Sequence, residues 1–370
     1  MEDIRLVSPP PENSSGIGKY SDTLAEELAA EKTVTRSYIP AELTRPTQFA
    51  RTAIAAGRAS EDVVHIQFDY VLFGRYSSMS LVFFPILLVL KRLYGTPVVV
   101  TMHEALNPEL VGEPFPRLKK LYVTLVNQSI SRSADRIIFM SEKTEDLFER
   151  YGNGEQRCRV PHGVPSEKPM TCTQAEAKAA FSYEEEDTLI VEPGYVDPRK
   201  GSHVFKEIAA LMPEFEFLIA GGSPRAKHDD YAAEIVAEAP PNLQLTGVLN
   251  DEEFHLAFQA ADLAVLPYQE LYQSGVKNTV AQSGVFNLCV AYGLPVVATS
   301  CQYFLDLEAE WGCVRTFDDV EEATNIISTI HGDHDDIKKN LVDGLERFRK
   351  QNNYNKAIDK HLNIYNSIVE

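Results

Sequence analysis

The 370-residue sequence predicts an α/β protein built from two doubly wound parallel sheets. Its length is well over twice the roughly 150 residues of a common domain, so each half can bury a core of its own. Short apolar runs rich in β-branched residues alternate with helical patterns, as in parallel sheets with crossover helices. A break containing two prolines and a glycine, Arg159-Val-Pro-His-Gly-Val-Pro165, interrupts this rhythm, which restarts beyond it.

In the first half, Ile4 to Ser8, Val63 to Gln67, Val98 to Met102 and Arg136 to Met140 read as buried parallel strands. Asp22 to Ala30 and Leu118 to Ser131 have helical spacing, and Glu142 to Arg150 follows Ser141 as its N-cap. Leu81 to Leu90, interrupted by Pro85, is the strongest apolar run. It falls well short of the about 20 residues needed to span a bilayer, so it reads as a buried helix.

The second half repeats the pattern. Strands are expected at Leu189 to Glu192, Phe215 to Ala220, Leu243 to Thr246, Leu263 to Leu266 and Pro295 to Ala298, with helices such as His203 to Met212 and Glu252 to Ala260 between them. Tyr354 to Ile368 reads as an amphipathic terminal helix. The expected division is 1–165, 166–350 and a final helical segment, 351–370. Two such sheets facing each other would make a cleft, and the loops after the strand ends are where ligands bind in doubly wound folds.

Composition narrows the function. Lys and Arg number 35 against 54 Asp and Glu, a net charge of −19, which disfavours nucleic acid as a partner and requires any anionic ligand to be held locally. Five cysteines with no CxxC pair suggest neither a disulfide framework nor a zinc site, and fit buried thiols in a reducing compartment. The N-terminus lacks the layout of a signal peptide, so a cytoplasmic location is expected.

The candidate chemistry sits at predicted strand ends. Gly16-Ile-Gly18 fits a loop that lets backbone approach an anion or sugar, and equally a tight strand-to-helix turn. It lacks the third glycine of a dinucleotide fingerprint, and no GxxxxGK[ST] loop occurs. His103, directly after a strand, is a better candidate than His65, which lies within one, or His162, which suits packing. Arg199-Lys200-Gly201 places two cations where a helix opens, an arrangement suited to phosphate, although a solvated basic turn has the same sequence. Ser283-Gly284-Val285 precedes a helical stretch and offers a second phosphate cap or an ordinary N-cap. Asp333-His334-Asp335 resembles a metal motif, but it lies in a polar loop where aspartates cap helices, and no metal is expected.

These motifs fall in an order that resembles family 4 of the retaining GT-B glycosyltransferases over nearly the whole chain. The matching stretches are Ser14 to Tyr20, Val63 to Gln67, Val99 to His103, Ala134 to Ile138, Val160 to Gly163, Gly194 to Gly201, Ala220 to Gly222 and Ala291 to Thr299. The resemblance implies a GT-B fold, with an N-terminal acceptor domain, a C-terminal nucleotide-sugar domain and a last helix crossing back to the first domain. It implies a hexosyltransferase-type enzyme in which His103 meets the transferred sugar, Lys200 and Arg199 neutralise the leaving diphosphate, and Gly16, Gly18, Gly222, Ser283, Gly284 and Val285 line the donor. No cofactor beyond the nucleotide sugar, UDP- or GDP-linked, is implied, and these cations and helix N-termini would stand in for a metal. The acceptor would be a glycan or a lipid-linked sugar.

Two departures stand out. The paired glutamates common in the family are replaced by Val280 and Leu288, and Tyr195 stands where many relatives have arginine. Some members carry Gln-Ser-Gly-Val instead of the pair, as Gln282 to Val285 does here. The departures fit a second reading, a GT-B-like subunit that binds a nucleotide or partner without catalysis, whereas retention of His103, Arg199 and Lys200 favours the enzyme; a sugar-nucleotide epimerase is a third possibility. Leu118 to Val126, with Arg117, Lys119 and Lys120, fits peripheral contact with an anionic membrane, and equally a core helix with a solvated basic end.

Overall fold

Strands buried on both faces organise the protein. In the computed structural model, which describes residues 1–370 except 11–15, 41–44, 114, 167, 169, 171, 224–227, 274, 275, 278, 279, 281, 333, 334 and 370, the chain divides into two compact units. One comprises Met1–His162, Tyr272–Lys277 and Tyr354–Glu370; the other comprises Gly163–Leu271 and Asn278–Asn353.

The first unit runs β1 (Asp3–Ser8), α1 (Gly16–Ala29), β2 (Thr33–Tyr38), α2 (Pro46–Gly57), β3 (Val63–Phe68) and α3 (Ser80–Tyr94). It continues through β4 (Val98–Met102), α4 (Pro116–Ser133), β5 (Arg136–Phe139), α5 (Glu142–Leu147) and β6 (Arg157–Arg159). The strands form one parallel sheet in the order β2-β1-β3-β4-β5-β6. Every residue of β3 and β4 is buried, which is why these strands read as continuous apolar runs.

The second unit runs α6 (Gln174–Ala180), β7 (Leu189–Pro193), α7 (Ser202–Leu211), β8 (Glu216–Ala220), α8 (Asp229–Ala237), β9 (Leu243–Leu245), α9 (Asp251–Ala260) and β10 (Leu263–Leu266). The antiparallel strands β11 (Tyr272–Gln273) and β12 (Val276–Lys277), which fall in the first unit, interrupt this run, and the second unit resumes with α10 (Gly284–Tyr292), β13 (Val296–Thr299), α11 (Gln302–Trp311), β14 (Arg315–Phe317), α12 (Val320–His331) and α13 (Asp335–Asn352). Its parallel sheet has the order β14-β13-β10-β7-β8-β9. The last helix, α14 (Tyr354–Val369), belongs to the first unit, where Ile358, Leu362 and Tyr365 pack with Ile4, Leu6, Leu24 and Leu28. Two doubly wound α/β units with a returning terminal helix make the GT-B architecture.

Several sequence expectations are corrected. The first helix starts at Gly16 rather than Asp22, with Gly18, Tyr20 and Ser21 already buried, so Gly16 and Gly18 lie inside α1. Leu81 to Leu90 is not buried all round: Phe83, Phe84 and Leu87 face the core, while Leu81 and Val89 are exposed. α5 ends at Leu147, with Ser141 and Thr144 forming its capping box. Cys289, Cys301 and Cys313 are buried and Cys158 and Cys172 half-buried, and none of the five forms a disulfide. Among the described residues no helix is long and apolar enough to cross a membrane.

Candidate functional site

Each sheet has a point where the strand order reverses, and doubly wound folds bind ligands beyond the strand ends at that point. In the second unit the reversal lies between β7 and β10, so the loops after these two strands are neighbours. The Gln269 amide donates to the Arg199 carbonyl at 2.7 Å, stitching them together. Gly201 sits at φ +79°, and a Cβ there would lie 1.8 Å from the Pro267 carbonyl oxygen, so only glycine allows the contact.

That junction separates the two cations. Arg199 points outward, its side chain 51% exposed and paired with Asp197 at 3.5 Å. Lys200 turns inward, its Nζ 3.9 Å from the centroid of the Tyr268 ring. The Tyr268 hydroxyl lies 2.9 Å from Ser283 Oγ, which in turn accepts from the Phe286 amide at 3.1 Å as the N-cap of α10. The structure therefore joins Lys200 to Ser283 through an aromatic ring that sequence reading did not single out. Gly284 and Val285 lie in the first turn of α10 rather than ahead of it, and Gly284 is exposed with none of the described residues within 4 Å of the position of a Cβ. Val285 packs beside Gly194.

Gly222 has an internal reason to be glycine: a Cβ would lie 2.7 Å from the Val248 amide nitrogen, and its carbonyl accepts from the Val196 amide at 2.9 Å. It braces the loop carrying Lys200. Val280 and Leu288, at the positions of the missing glutamates, are partly buried against the apolar core. Asp333 and His334 lie outside the described residues, as does the side chain of Asp335.

A second residue unmarked by sequence reading is Glu192, at the end of β7. Burial pushes its carboxyl up to about 8, against the opposing pull of the Ser202 hydroxyl and the Lys200 charge, while Asp197 reinforces the rise. Ser202 Oγ donates to its Oε1 at 2.8 Å, and among the described residues Oε2 has no hydrogen-bond partner. A charged residue in the otherwise apolar run LIVEP was the available signal.

In the first unit His103 follows β4, 7% exposed, its amide donating to the Phe68 carbonyl at 2.9 Å. Its Nε2 lies 2.8 Å from Gln67 Oε1. Burial lowers its imidazole to about 3, with His162 adding to the effect, so the ring is neutral at pH 7. Tyr20, on α1, meets His103 edge-on with centroids 5.2 Å apart, which ties the first turns of α1, including Gly16 and Gly18, to the end of β4. Gly16 is exposed and none of the described residues lies within 4 Å of a Cβ there; Gly18 is buried. His162 packs on Tyr20 and Tyr354, and His65 is wholly buried.

Comparison with known proteins places these features in a family. Residues 31–163 match the glycosyl transferase 4-like domain and residues 188–333 the glycosyl transferases group 1. The chain is 29% identical over 226 residues to D-inositol 3-phosphate glycosyltransferase of Mycobacterium sp. (strain JLS), covering 56% of this chain and 47% of that one. It is 30% identical over 135 residues to the alpha-galactosylglucosyldiacylglycerol synthase of Streptococcus pneumoniae, 35% of this chain and 36% of that one. The chain thus spans about half the length or less of these curated relatives. Among solved structures, Anabaena HepE in complex with UDP and glucose superposes with a TM-score of 0.74 at 13% identity, over 100% of this chain and 99% of that one.

Proposed function

We propose, for a chain that belongs to the GT-B glycosyltransferases of family 4 and group 1 type, that it moves a sugar from a nucleoside diphosphate sugar to a glycan or lipid-linked acceptor. The reaction is a hexosyl transfer that retains the anomeric configuration and needs no metal ion. One observation carries the reading: Lys200, held over Tyr268, and the Ser283-capped start of α10 form a cationic, amide-rich corner at the strand-order reversal of the second unit.

The chemistry explains what that corner does. As the bond from the anomeric carbon to the diphosphate breaks, negative charge grows on the departing phosphate. Lys200 and the free amides at the start of α10 stabilise that charge where it develops, and exposed Arg199 adds a longer-range attraction. Gly284 leaves the backbone open to the phosphate. In the first unit His103, neutral and rigidly hydrogen-bonded, meets the transferred sugar, with Gly16 and Gly18 nearby on α1.

HepE, as a complex with UDP and glucose, supports a nucleotide-sugar donor, and the diacylglycerol-glycoside synthase supports a lipid-linked acceptor. A lipid acceptor also suits α4. Val123, Val126 and Ile130 bury one face, while Leu118, Leu121 and Leu125 stand exposed along another, with Phe115 just before them. Lys119 reaches the Gly112 and Glu113 carbonyls and Lys120 pairs with Glu109 at 2.7 Å, so the uncovered feature is the leucine stripe rather than the basic end.

A thermal-shift comparison of UDP, GDP, ADP and their sugars on wild type and Lys200→Ala tests the donor reading. A ligand at 100 times its Kd stabilises the folded state by about 2.7 kcal/mol. One nucleotide is expected to stabilise wild type and to lose most of that effect in the variant. If none stabilises wild type, a non-catalytic role replaces this reading.

A further inference from the structure

A buried chain of hydrogen bonds ties His103 to the terminal helix. Gln67 and His65 lie two residues apart on β3 and so share one face. Gln67 Oε1 lies 2.8 Å from His103 Nε2, and Gln67 Nε2 lies 3.2 Å from His65 Nε2. The Thr101 hydroxyl, on β4 opposite Gln67, is 2.7 Å from the same His65 nitrogen. On its other side, His65 Nδ1 is 2.7 Å from the Tyr365 hydroxyl on α14. His65, Gln67, Thr101 and Tyr365 are all fully buried.

The chemistry of a carboxamide gives this chain a direction. Its nitrogen only donates and its oxygen only accepts. The Gln67 nitrogen donates to His65 Nε2, so His65 carries its proton on Nδ1 and donates it to the Tyr365 oxygen. The Gln67 oxygen accepts, so His103 carries its proton on Nε2, leaving Nδ1 as a bare lone pair. Among the described residues, the bond to Gln67 is the only side-chain hydrogen bond of His103. Among the described residues, the groups facing His103 are Gln67, Tyr20 and His162, with His65 beyond Gln67, and none of these is a carboxylate that would draw a second proton onto the ring.

We propose that Gln67 is a positioning residue. Backed by His65 and Tyr365, it holds His103 in the Nε2–H tautomer and leaves Nδ1 to accept a hydrogen bond from a hydroxyl of the transferred sugar. The inference rests on the reading that His103 meets that sugar. It also gives α14 a part in the site, because Tyr365 closes the far end of the chain.

The test uses the protein with 15N-labelled histidine, the His103 signal being assigned by its loss in His103→Asn. Long-range 15N–1H spectra distinguish the two tautomers, and release of UDP from UDP-glucose follows turnover. Wild type is expected to show His103 as Nε2–H. Gln67→Leu is expected to lose that preference and to lower kcat on the order of tenfold, the equivalent of one lost hydrogen bond, with UDP affinity unchanged. Tyr365→Phe, which keeps the packing, is expected to shift His65 toward its other tautomer and to lower kcat less; it serves as the test variant if Gln67→Leu does not fold. An Nδ1–H tautomer for His103 in wild type overturns the proposal and leaves the donor reading intact. Full activity in Gln67→Leu alongside an impaired His103→Asn also overturns it. Full activity in His103→Asn removes the role of His103 itself, and the proposal with it.

Discussion

The Lys200 ammonium stands 3.9 Å from the centre of the Tyr268 ring. The pair unites the loops after β7 and β10 at the point where the strand order reverses. A cation over an aromatic face gains roughly 0.5–2 kcal/mol, and here the ring also limits where the flexible lysine can go.

Tyr268→Leu is therefore expected to weaken UDP binding about five- to tenfold in titration calorimetry, because Lys200 must then be ordered by the ligand itself. Tyr268→Phe keeps the ring and loses only the contact to Ser283, so its affinity is expected to stay within about threefold of wild type. Equal weakening in both variants would show that the ring is not what matters.

Glu192 gives a pH signature of opposite sign to a surface carboxylate. Its folded value of about 8 exceeds the ordinary 4.5, so between these values the folded state holds a proton that the unfolded chain has lost. Stability is therefore fully supported below about 4.5 and falls as pH rises through 8, by up to about 1.4 kcal/mol per pH unit. Chemical denaturation between pH 6.5 and 8 is expected to show this decline in wild type, flattened in Glu192→Gln. A decline of the same slope in the variant would assign it elsewhere.

The buried histidines act on the acid side. Burial holds His103 near 3 and His361 near 4, and holds His65 well below its ordinary range, with neighbouring imidazoles reinforcing the effect on His65 and His103. Their folded values are depressed below the unfolded 6.5, so stability is full above that pH and is lost as pH falls, each contributing up to about 1.4 kcal/mol per unit. Among the described residues His361 Nε2 has no hydrogen-bond partner, so His361→Leu is expected to move the acid-unfolding midpoint seen by circular dichroism to lower pH. An unmoved midpoint would exclude His361 from the transition.

The exposed leucines of α4 make the acceptor reading testable without knowing the acceptor. Leu118→Glu with Leu121→Glu is expected to abolish co-sedimentation with vesicles containing anionic lipid. Lys119→Glu with Lys120→Glu is expected to weaken it less, since both lysines are already engaged. Retained binding by the leucine variant would remove membrane contact from the proposal.

The sequence by itself determined the strands with two buried faces, since such strands must be apolar at nearly every position: β3, β4, β7 and β10 all read directly. Edge strands obey no such constraint. β2, with Thr, Arg and Ser on a half-exposed surface, and the three-residue β6 and β14 carry no comparable run and were not predicted. Lys200 and Ser283 were legible because a cation at a helix start and a serine N-cap are local signals. Tyr268, Glu192, Gln67 and Tyr365 were not, because what they do depends on partners that only the folded chain supplies, with Tyr365 meeting a histidine 300 residues away. Tertiary structure alone decided which cation turns inward and that Gln67 meets His103, since both follow from packing between separate strands and helices rather than from the spacing of residues along one of them.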